Sequence, residues 1–149
     1  MLFIIRCILI SLAVCLMSVY AIFYCLLSPR NPKNTYHFAM LFSKMSRLVG
    51  LKVTVRLPES AKNNGSVVYI ANHQNNCDML TTTAAVQPGS VTIGKKSLVW
   101  VPFFGIIYWL TGNILIDRDD KSKSKNTIMD VVEQMRSKNL AVWIFPEGT

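Results

Sequence analysis

The chain has 149 residues, of which 51% are hydrophobic, and its 16 lysines and arginines against 8 acidic residues give a net charge of +8. This length suits one domain, and the apolar share excludes an intrinsically disordered chain. No acidic residue precedes Glu59, so nearly all of the excess charge belongs to the most apolar part of the chain. That arrangement argues against a nucleic-acid partner, which would require a basic stripe on a folded domain. It is typical of a protein segment that binds a membrane surface.

Residues 7–27 form an uncharged apolar stretch that, as a helix, would be about 31 Å long and would match the hydrocarbon core of a bilayer. A cleavable signal peptide is disfavoured, because only Arg6 precedes the stretch and residues 25–27 lack the small side chains of a cleavage site. The stretch predicts a helix that spans the membrane or embeds deeply in it. The four cysteines include no C-x-x-C pair, and we interpret them as reduced thiols facing the cytosol.

The next predicted element is an amphipathic helix over residues 34–49, with Asn34 as its N-cap. Its apolar residues share one helical face: Phe38, Leu41, Phe42, Met45, Leu48 and Val49. Lys44 and Arg47 lie on the polar side, which favours a helix in the head-group plane, and packing against a domain core is the alternative. We therefore predict a membrane-associated segment of two helices over residues 1–50.

From Leu51 the hydrophobic period becomes alternating, which predicts a half-exposed strand over residues 51–57. Further strands are predicted at 67–71, 91–93, 113–116 and 140–145, and helices at 79–86, 106–110 and 121–138. Strands that alternate with helices predict an α/β fold with a mixed, largely parallel sheet flanked by helices. Residues 51–149 belong to this domain.

Polar residues follow the first buried strand at Asn72-His73-Gln74-Asn75-Asn76-Cys77-Asp78, and open α/β sheets bind ligands where strands end. On one continuous helix His73 and Asp78 would point about 140° apart, so they can meet only across a bend. With His73 in a loop and Asp78 in the first turn of a helix, the carboxylate would accept from one imidazole nitrogen. The other nitrogen would then take a proton from an alcohol. A structural histidine is the alternative.

This segment has an N-H-x-x-x-x-D motif and resembles the glycerolipid acyltransferases, specifically the bacterial 1-acyl-sn-glycerol-3-phosphate acyltransferases. Two further blocks match that family in order and approximate spacing: residues 112–118 (GNILIDR) and residues 145–149 (FPEGT). The leader is similar too, including residues 24–34 (YCLLSPRNPKN), so the resemblance covers essentially the whole chain. It implies a glycerolphosphate acyltransferase-like fold. Because the family continues beyond its third block, it also implies that residues 51–149 are the N-terminal part of a truncated domain.

The resemblance implies that His73 is the general base and Asp78 its orienting partner, and that Arg118 helps to hold the phosphate of the acceptor. The other implied phosphate-site residues are Glu147, Gly148 and Thr149. A guanidinium suits a phosphate dianion because it can donate two parallel hydrogen bonds. Glu147 cannot bind phosphate itself and would accept from an acceptor hydroxyl or orient Arg118. The alternative for Arg118 is an ion pair with Asp117, Asp119 or Asp120.

The expected reaction is direct transfer of an acyl group from an acyl thioester to the sn-2 hydroxyl of lysophosphatidate, giving phosphatidate for phospholipid synthesis. Acyl-carrier protein or coenzyme A would carry the acyl group as a donor substrate, and no cofactor is expected. No metal is expected either, because the spacing of His73 and Asp78 is not that of metal ligands. The bacterial family implies the cytoplasmic membrane, with the site on its cytoplasmic side and with membrane lipids as partners. Alternatives are glycerol 3-phosphate or another lysophospholipid as acceptor, and a non-catalytic lipid-binding protein.

Three further features have weaker interpretations. The Lys95-Lys96 pair would face the acyl carrier or a phosphate, or it is simply solvated. An aromatic group would line an acyl channel, touch lipid or pack in the core: Trp100, Phe103, Phe104, Tyr108 and Trp109. An acyl-enzyme through Cys77 is disfavoured, because that thiol has no dedicated base.

Overall fold

The computed structural model describes residues 2–62, 65–73 and 78–146. Its helices are α1 (Leu2–Leu27), α2 (Pro32–Lys44), α3 (Asp78–Thr82), α4 (Phe104–Leu110) and α5 (Lys121–Lys138). Its strands are β1 (Val68–Ile70), β2 (Ser90–Lys95), β3 (Ile114–Ile116) and β4 (Ala141–Ile144). Short 3-10 helices cover Met45–Arg47, Glu59–Ala61, Thr83–Ala85 and Lys96–Trp100.

The four strands form one sheet in the order β1-β4-β2-β3, and every pairing is parallel. β4 comes last in the sequence and lies between β1 and β2. The predicted α/β fold with a largely parallel sheet flanked by helices is therefore confirmed. Because the strands are parallel, all four end at the same side of the sheet, which we call the carboxyl edge.

Helices cover both faces of this sheet. Val131 of α5 packs on one face against a cluster formed by Val91, Ile93, Ile114, Ile116 and Val142. On the other face, Ala39 of α2 packs with Val86 and Trp143. Right-handed crossovers explain this division, because the connections β1 to β2 and β2 to β3 run one way across the sheet and β3 to β4 runs back.

α1 is long and apolar enough to cross a membrane, with a candidate span over Ile4–Leu27 and a mean hydropathy of 2.4. Most of its large apolar side chains are exposed, among them Ile8, Leu16 and Phe23. A helix of this length with unburied apolar sides needs an apolar environment. These properties are those of a membrane-associated helix.

α2 begins earlier than its sequence pattern indicates. Its N-cap is Asn31, whose side chain accepts from the backbone N–H of Lys33 at 3.0 Å, and Pro32 occupies the first turn. Proline favours the first helical position because it has no N–H to leave unpaired. Asn34, the predicted cap, is instead buried and donates to the carbonyl oxygen of Ser28 at 2.7 Å.

The apolar side of α2 packs against the rest of the protein. Phe38 contacts Ala21 and Cys25 of α1 and Leu110 of α4, and other α2 residues contact α3 and β2. This packing corresponds to the alternative of a core helix, so the face predicted for the head-group plane is largely used within the protein. The boundary at residue 50 stays a prediction.

The strand predicted over residues 51–57 is wrong. The segment has no regular secondary structure, and only Val53 and Leu57 are half-buried. Alternation of apolar and polar residues indicates which side chains face the protein. A strand also requires a neighbouring strand that forms hydrogen bonds with its backbone N–H and C=O groups. The described part of the sheet offers this segment no such partner.

Candidate active site at the carboxyl edge of the sheet

The ends of the four strands place several candidate residues along the carboxyl edge. β1 leads to His73, β4 to Phe145, β2 to Lys95 and Lys96, and β3 to Arg118. The strand order puts the segment after β4 between the segments after β1 and β2. The three sequence blocks therefore share one edge, which is where parallel α/β sheets bind ligands.

His73 and Asp78 meet across the bend between β1 and α3. Nδ1 of His73 lies 3.2 Å from Oδ2 of Asp78, and the side chains are 33% and 21% exposed. Asp78 is the first residue of α3, where a carboxylate is favoured by the helix dipole. The contact directs Nε2 of the imidazole away from the carboxylate, as a general base oriented by an acid requires. Both groups remain accessible to a substrate.

Phe145 brings the third sequence block to this pair. Its ring centroid lies 5.3 Å from that of His73, with the two planes tilted by 51°. The parallel pairing of β1 with β4 sets this contact, because Ile70 lies opposite Ile144. The sequence indicated the block but not the ring contact, which fixes one side of the imidazole. Glu147, Gly148 and Thr149, like Cys77, lie outside the described residues.

Arg118 lies two residues beyond β3, at the far end of the sheet from His73. Three strand spacings separate β1 from β3, or about 14 Å. The side chain is exposed, and its positive charge acts on the Tyr108 phenol. Burial raises the pKa of Tyr108, while a hydrogen bond with Thr92 and the charge of Arg118 oppose that rise. Tyr108 packs on β2, the strand next to β3.

The aspartates near Arg118 have partners of their own. Oδ2 of Asp117 accepts from Nζ of Lys96 at 3.0 Å, and this hydrogen bond lowers the pKa of the carboxyl. Asp120 caps α5 by accepting from the backbone N–H of Lys123 at 3.0 Å. Two of the three carboxylates proposed as ion-pair partners of Arg118 are thus engaged by lysines. The Lys96 contact also joins the ends of β2 and β3.

A buried polar network supports the edge from the α4 side. The hydroxyls of Thr92 and Tyr108 are 2.6 Å apart, and Oδ1 of Asn113 accepts from the backbone N–H of Thr92 at 2.8 Å. Gly94 makes room for the phenol, because a Cβ there would lie 2.7 Å from the Tyr108 oxygen. Sequence reasoning placed Tyr108 only in an aromatic group. The available signal was the glycine that directly follows the predicted strand at 91–93, because a glycine beside a buried strand can mark a close approach by another residue.

The Acyltransferase family model matches residues 52–149, which include the His73–Asp78 pair and the ends of all four strands. The chain belongs to the acyltransferase family. Over all 149 residues the chain is 50% identical to the 1-acyl-sn-glycerol-3-phosphate acyltransferases of Escherichia coli (strain K12) and Salmonella typhimurium. It is 43% identical to the protein of that name from Haemophilus influenzae.

The acyltransferase chain spans 61% of the length of the Escherichia coli and Salmonella typhimurium relatives, and each match covers 100% of the chain. For the Haemophilus influenzae relative the chain spans 62% of the length. No solved structure matches the chain significantly.

Proposed function

We propose that this acyltransferase moves a fatty acyl group from an acyl thioester to the sn-2 hydroxyl of lysophosphatidate and so forms phosphatidate for phospholipid synthesis. The observation that carries the proposal is the 3.2 Å contact between His73 and Asp78 at the carboxyl edge. The names of the 50% identical relatives specify 1-acyl-sn-glycerol 3-phosphate, which is lysophosphatidate.

In the proposed mechanism Nε2 of His73 takes the proton of the acceptor hydroxyl as the oxygen attacks the thioester carbonyl carbon. Asp78 holds Nδ1 and stabilises the imidazolium that forms. The carbon–sulfur bond then breaks, the thiolate leaves, and it receives the proton from His73. The products are a new ester and a free thiol, and His73 is regenerated. A positioned base of this kind contributes about 10²–10⁴ in rate.

Arg118 binds the acceptor phosphate in this proposal. Its guanidinium can donate two parallel hydrogen bonds to the dianion, and it is exposed just beyond the end of β3. Glu147, Gly148 and Thr149 complete the phosphate site, with Glu147 accepting from a hydroxyl or orienting Arg118. The donor is a thioester of acyl-carrier protein or coenzyme A, both of which are acidic and are attracted to a chain of net charge +8. No metal or cofactor has a role in these steps.

We place the enzyme at the cytoplasmic membrane with its site on the cytoplasmic side. The exposed apolar surface of α1 supports the membrane location. Cys7, Cys15 and Cys25 are all free thiols, which fits a reducing compartment.

The proposal is tested by incubating the full chain with a labelled acyl thioester and lysophosphatidate in mixed micelles and measuring phosphatidate. Parallel reactions contain glycerol 3-phosphate or lysophosphatidylcholine. Preferential acylation of lysophosphatidate supports the proposal, and preference for another acceptor shifts the function to that substrate. Lipid binding without turnover for any acceptor would favour the non-catalytic alternative.

Replacement of Arg118 tests the phosphate site. In Arg118→Ala we expect the KM for lysophosphatidate to rise about 10-fold to 100-fold, because a charge-assisted hydrogen-bonding group is worth about 1.5–3 kcal/mol. Arg118→Lys should recover only part of this loss, since an ammonium group cannot form the bidentate contact. The measurement is the steady-state rate as a function of acceptor concentration.

A matched control is Arg136→Ala, in the last turn of α5 and therefore at the far end of that helix from Arg118, which should leave the KM unchanged. Monoacylglycerol, which lacks the phosphate, should be acylated equally by the Arg118→Ala variant and the unaltered chain. An unchanged KM in Arg118→Ala would contradict the assignment.

A further inference from the structure

The segment around α4 carries an exposed apolar surface that has no part in the proposed proton transfer or phosphate binding. Trp100 is 85% exposed and Phe103 is 59% exposed. Ile106 and Trp109 follow Phe103 at intervals of three, so these residues share the outer side of α4. We call this surface the α4 patch, and its residues are Val99, Trp100, Val101, Phe103, Ile106 and Trp109.

The backbone holds these side chains outward. Phe103 has a φ of +61°, a left-handed conformation that is uncommon for a bulky residue and costs conformational energy. Gly105 lies so close to the preceding turn that a Cβ there would be 2.5 Å from the carbonyl oxygen of Val99. The turn before α4 is therefore folded tightly onto the helix. Its aromatic side chains are exposed by the geometry of the fold.

The helix that carries the α4 patch packs directly against α1. The inner side of α4, through Ile107 and Leu110, packs on Ala21 and Cys25 of α1. The C-terminal end of α4 also meets the segment that follows α1, where the backbone N–H of Arg30 donates to the carbonyl oxygen of Leu110 at 2.8 Å. A lipid bilayer that surrounds α1 would therefore also reach α4.

The charges around the patch suit an anionic lipid surface. The guanidinium of Arg30 lies 5.2 Å from the ring centroid of Trp109, and Lys95 is exposed before the turn. The sequence has no acidic residue between Asp78 and Asp117. Basic residues near an anionic membrane are attracted to its surface, and Trp is enriched at the head-group level.

We propose that the α4 patch inserts into the head-group region of an anionic bilayer beside α1 and forms a second membrane contact. Trp100 ends the 3-10 helix that follows β2, so this contact would hold the carboxyl edge close to the lipid surface. The inference extends the proposed function, because lysophosphatidate arrives from the bilayer. The lipid contact itself requires no acyl transfer.

The test uses the three tryptophans of the chain as separate fluorescent probes. Three variants each retain Trp100, Trp109 or Trp143 and carry phenylalanine at the other two positions. The full chain is reconstituted into vesicles of phosphatidylethanolamine and phosphatidylglycerol, with and without bromine on the acyl chains. Bromine quenches only tryptophans that contact lipid.

We expect brominated lipid to remove most of the Trp100 emission and part of the Trp109 emission. Trp143 is 8% exposed within the sheet and serves as the matched internal control, with unchanged emission. Trp100 emission that is quenched no more than that of Trp143 would overturn the proposal. If Trp100 is also shielded from aqueous acrylamide in that case, protein covers the patch, either as a second copy of the chain or as another segment.

The quenching result and the acyl-transfer assay are independent readouts. An active enzyme without Trp100 quenching rejects the membrane contact and retains the proposed function. An inactive chain with strong Trp100 quenching rejects the proposed function and retains the membrane contact. The far-ultraviolet circular dichroism of each variant in detergent, compared with that of the unaltered chain, shows whether the variant is folded.

Discussion

His73→Ala is expected to lower kcat for lysophosphatidate acylation by about 10²–10⁴, the usual contribution of a positioned general base. The imidazole contacts Asp78 through Nδ1, so its removal also eliminates the group that the carboxylate orients. The measurement is the rate at saturating donor and acceptor. Sedimentation with membranes should be unchanged, because α1 is intact.

The second histidine of the chain provides a matched control. His37 lies on α2, where Nε2 is 3.0 Å from the Tyr20 hydroxyl and the ring stacks on Tyr24. His37→Ala should therefore leave kcat within about twofold, while Asp78→Asn should lower it less than His73→Ala does. Turnover by His73→Ala at near the rate of the unaltered chain would reject the role of His73.

Asn113→Ala is expected to destabilise the protein by about 1–3 kcal/mol, because the backbone N–H of Thr92 loses its acceptor and the network loses its central side chain. Oδ1 of Asn113 accepts from the backbone N–H of Thr92 at 2.8 Å and from the hydroxyl of Thr35 at 3.3 Å. Its Nδ2 donates to Oγ1 of Thr111 at 3.0 Å. Urea unfolding in detergent, followed by tryptophan emission, measures the free energy of unfolding.

The same substitution at an exposed position distinguishes the loss of the network's hydrogen bonds from a general effect of replacing asparagine by alanine. Asn126 lies on the solvent side of α5, and Asn126→Ala should stabilise the protein by a few tenths of a kcal/mol, since alanine has the higher helix propensity. A loss below about 1 kcal/mol in Asn113→Ala would show that the network does not hold α2 to the sheet.

Patterns within a short stretch of sequence correctly predicted those structural features that are determined by residues close together in the chain. α5 has the predicted bounds of residues 121–138, because Asp120 caps its start and Asn139 ends it in a left-handed conformation. The contact between His73 and Asp78 was also predictable, because only a bend allows a five-residue spacing to bring two such side chains together. β2 is longer than predicted, since Gly94 and Lys95 interrupt its apolar run but still pair with β3.

The features that sequence reasoning missed depend on distant residues. Thr35 and Asn113 are 78 positions apart, and no periodicity reports their contact. The strand order, which separates Arg118 from His73 along the edge, depends on pairing between strands that are remote in sequence. The alternation at residues 51–57 resembles a strand because the segment has one side toward the protein, but the pattern cannot supply the missing partner.

The position of β4 between β1 and β2 has a consequence for biosynthesis. Translation delivers α1 first, so the nascent chain can reach the bilayer long before the sheet is complete. β1 pairs with β4 alone among the described strands, and it must wait for almost the whole of this sequence to leave the ribosome. Such non-local pairing is slow. The strand that leads to the imidazole is thus made early and ordered late, while the polypeptide is already tethered to lipid.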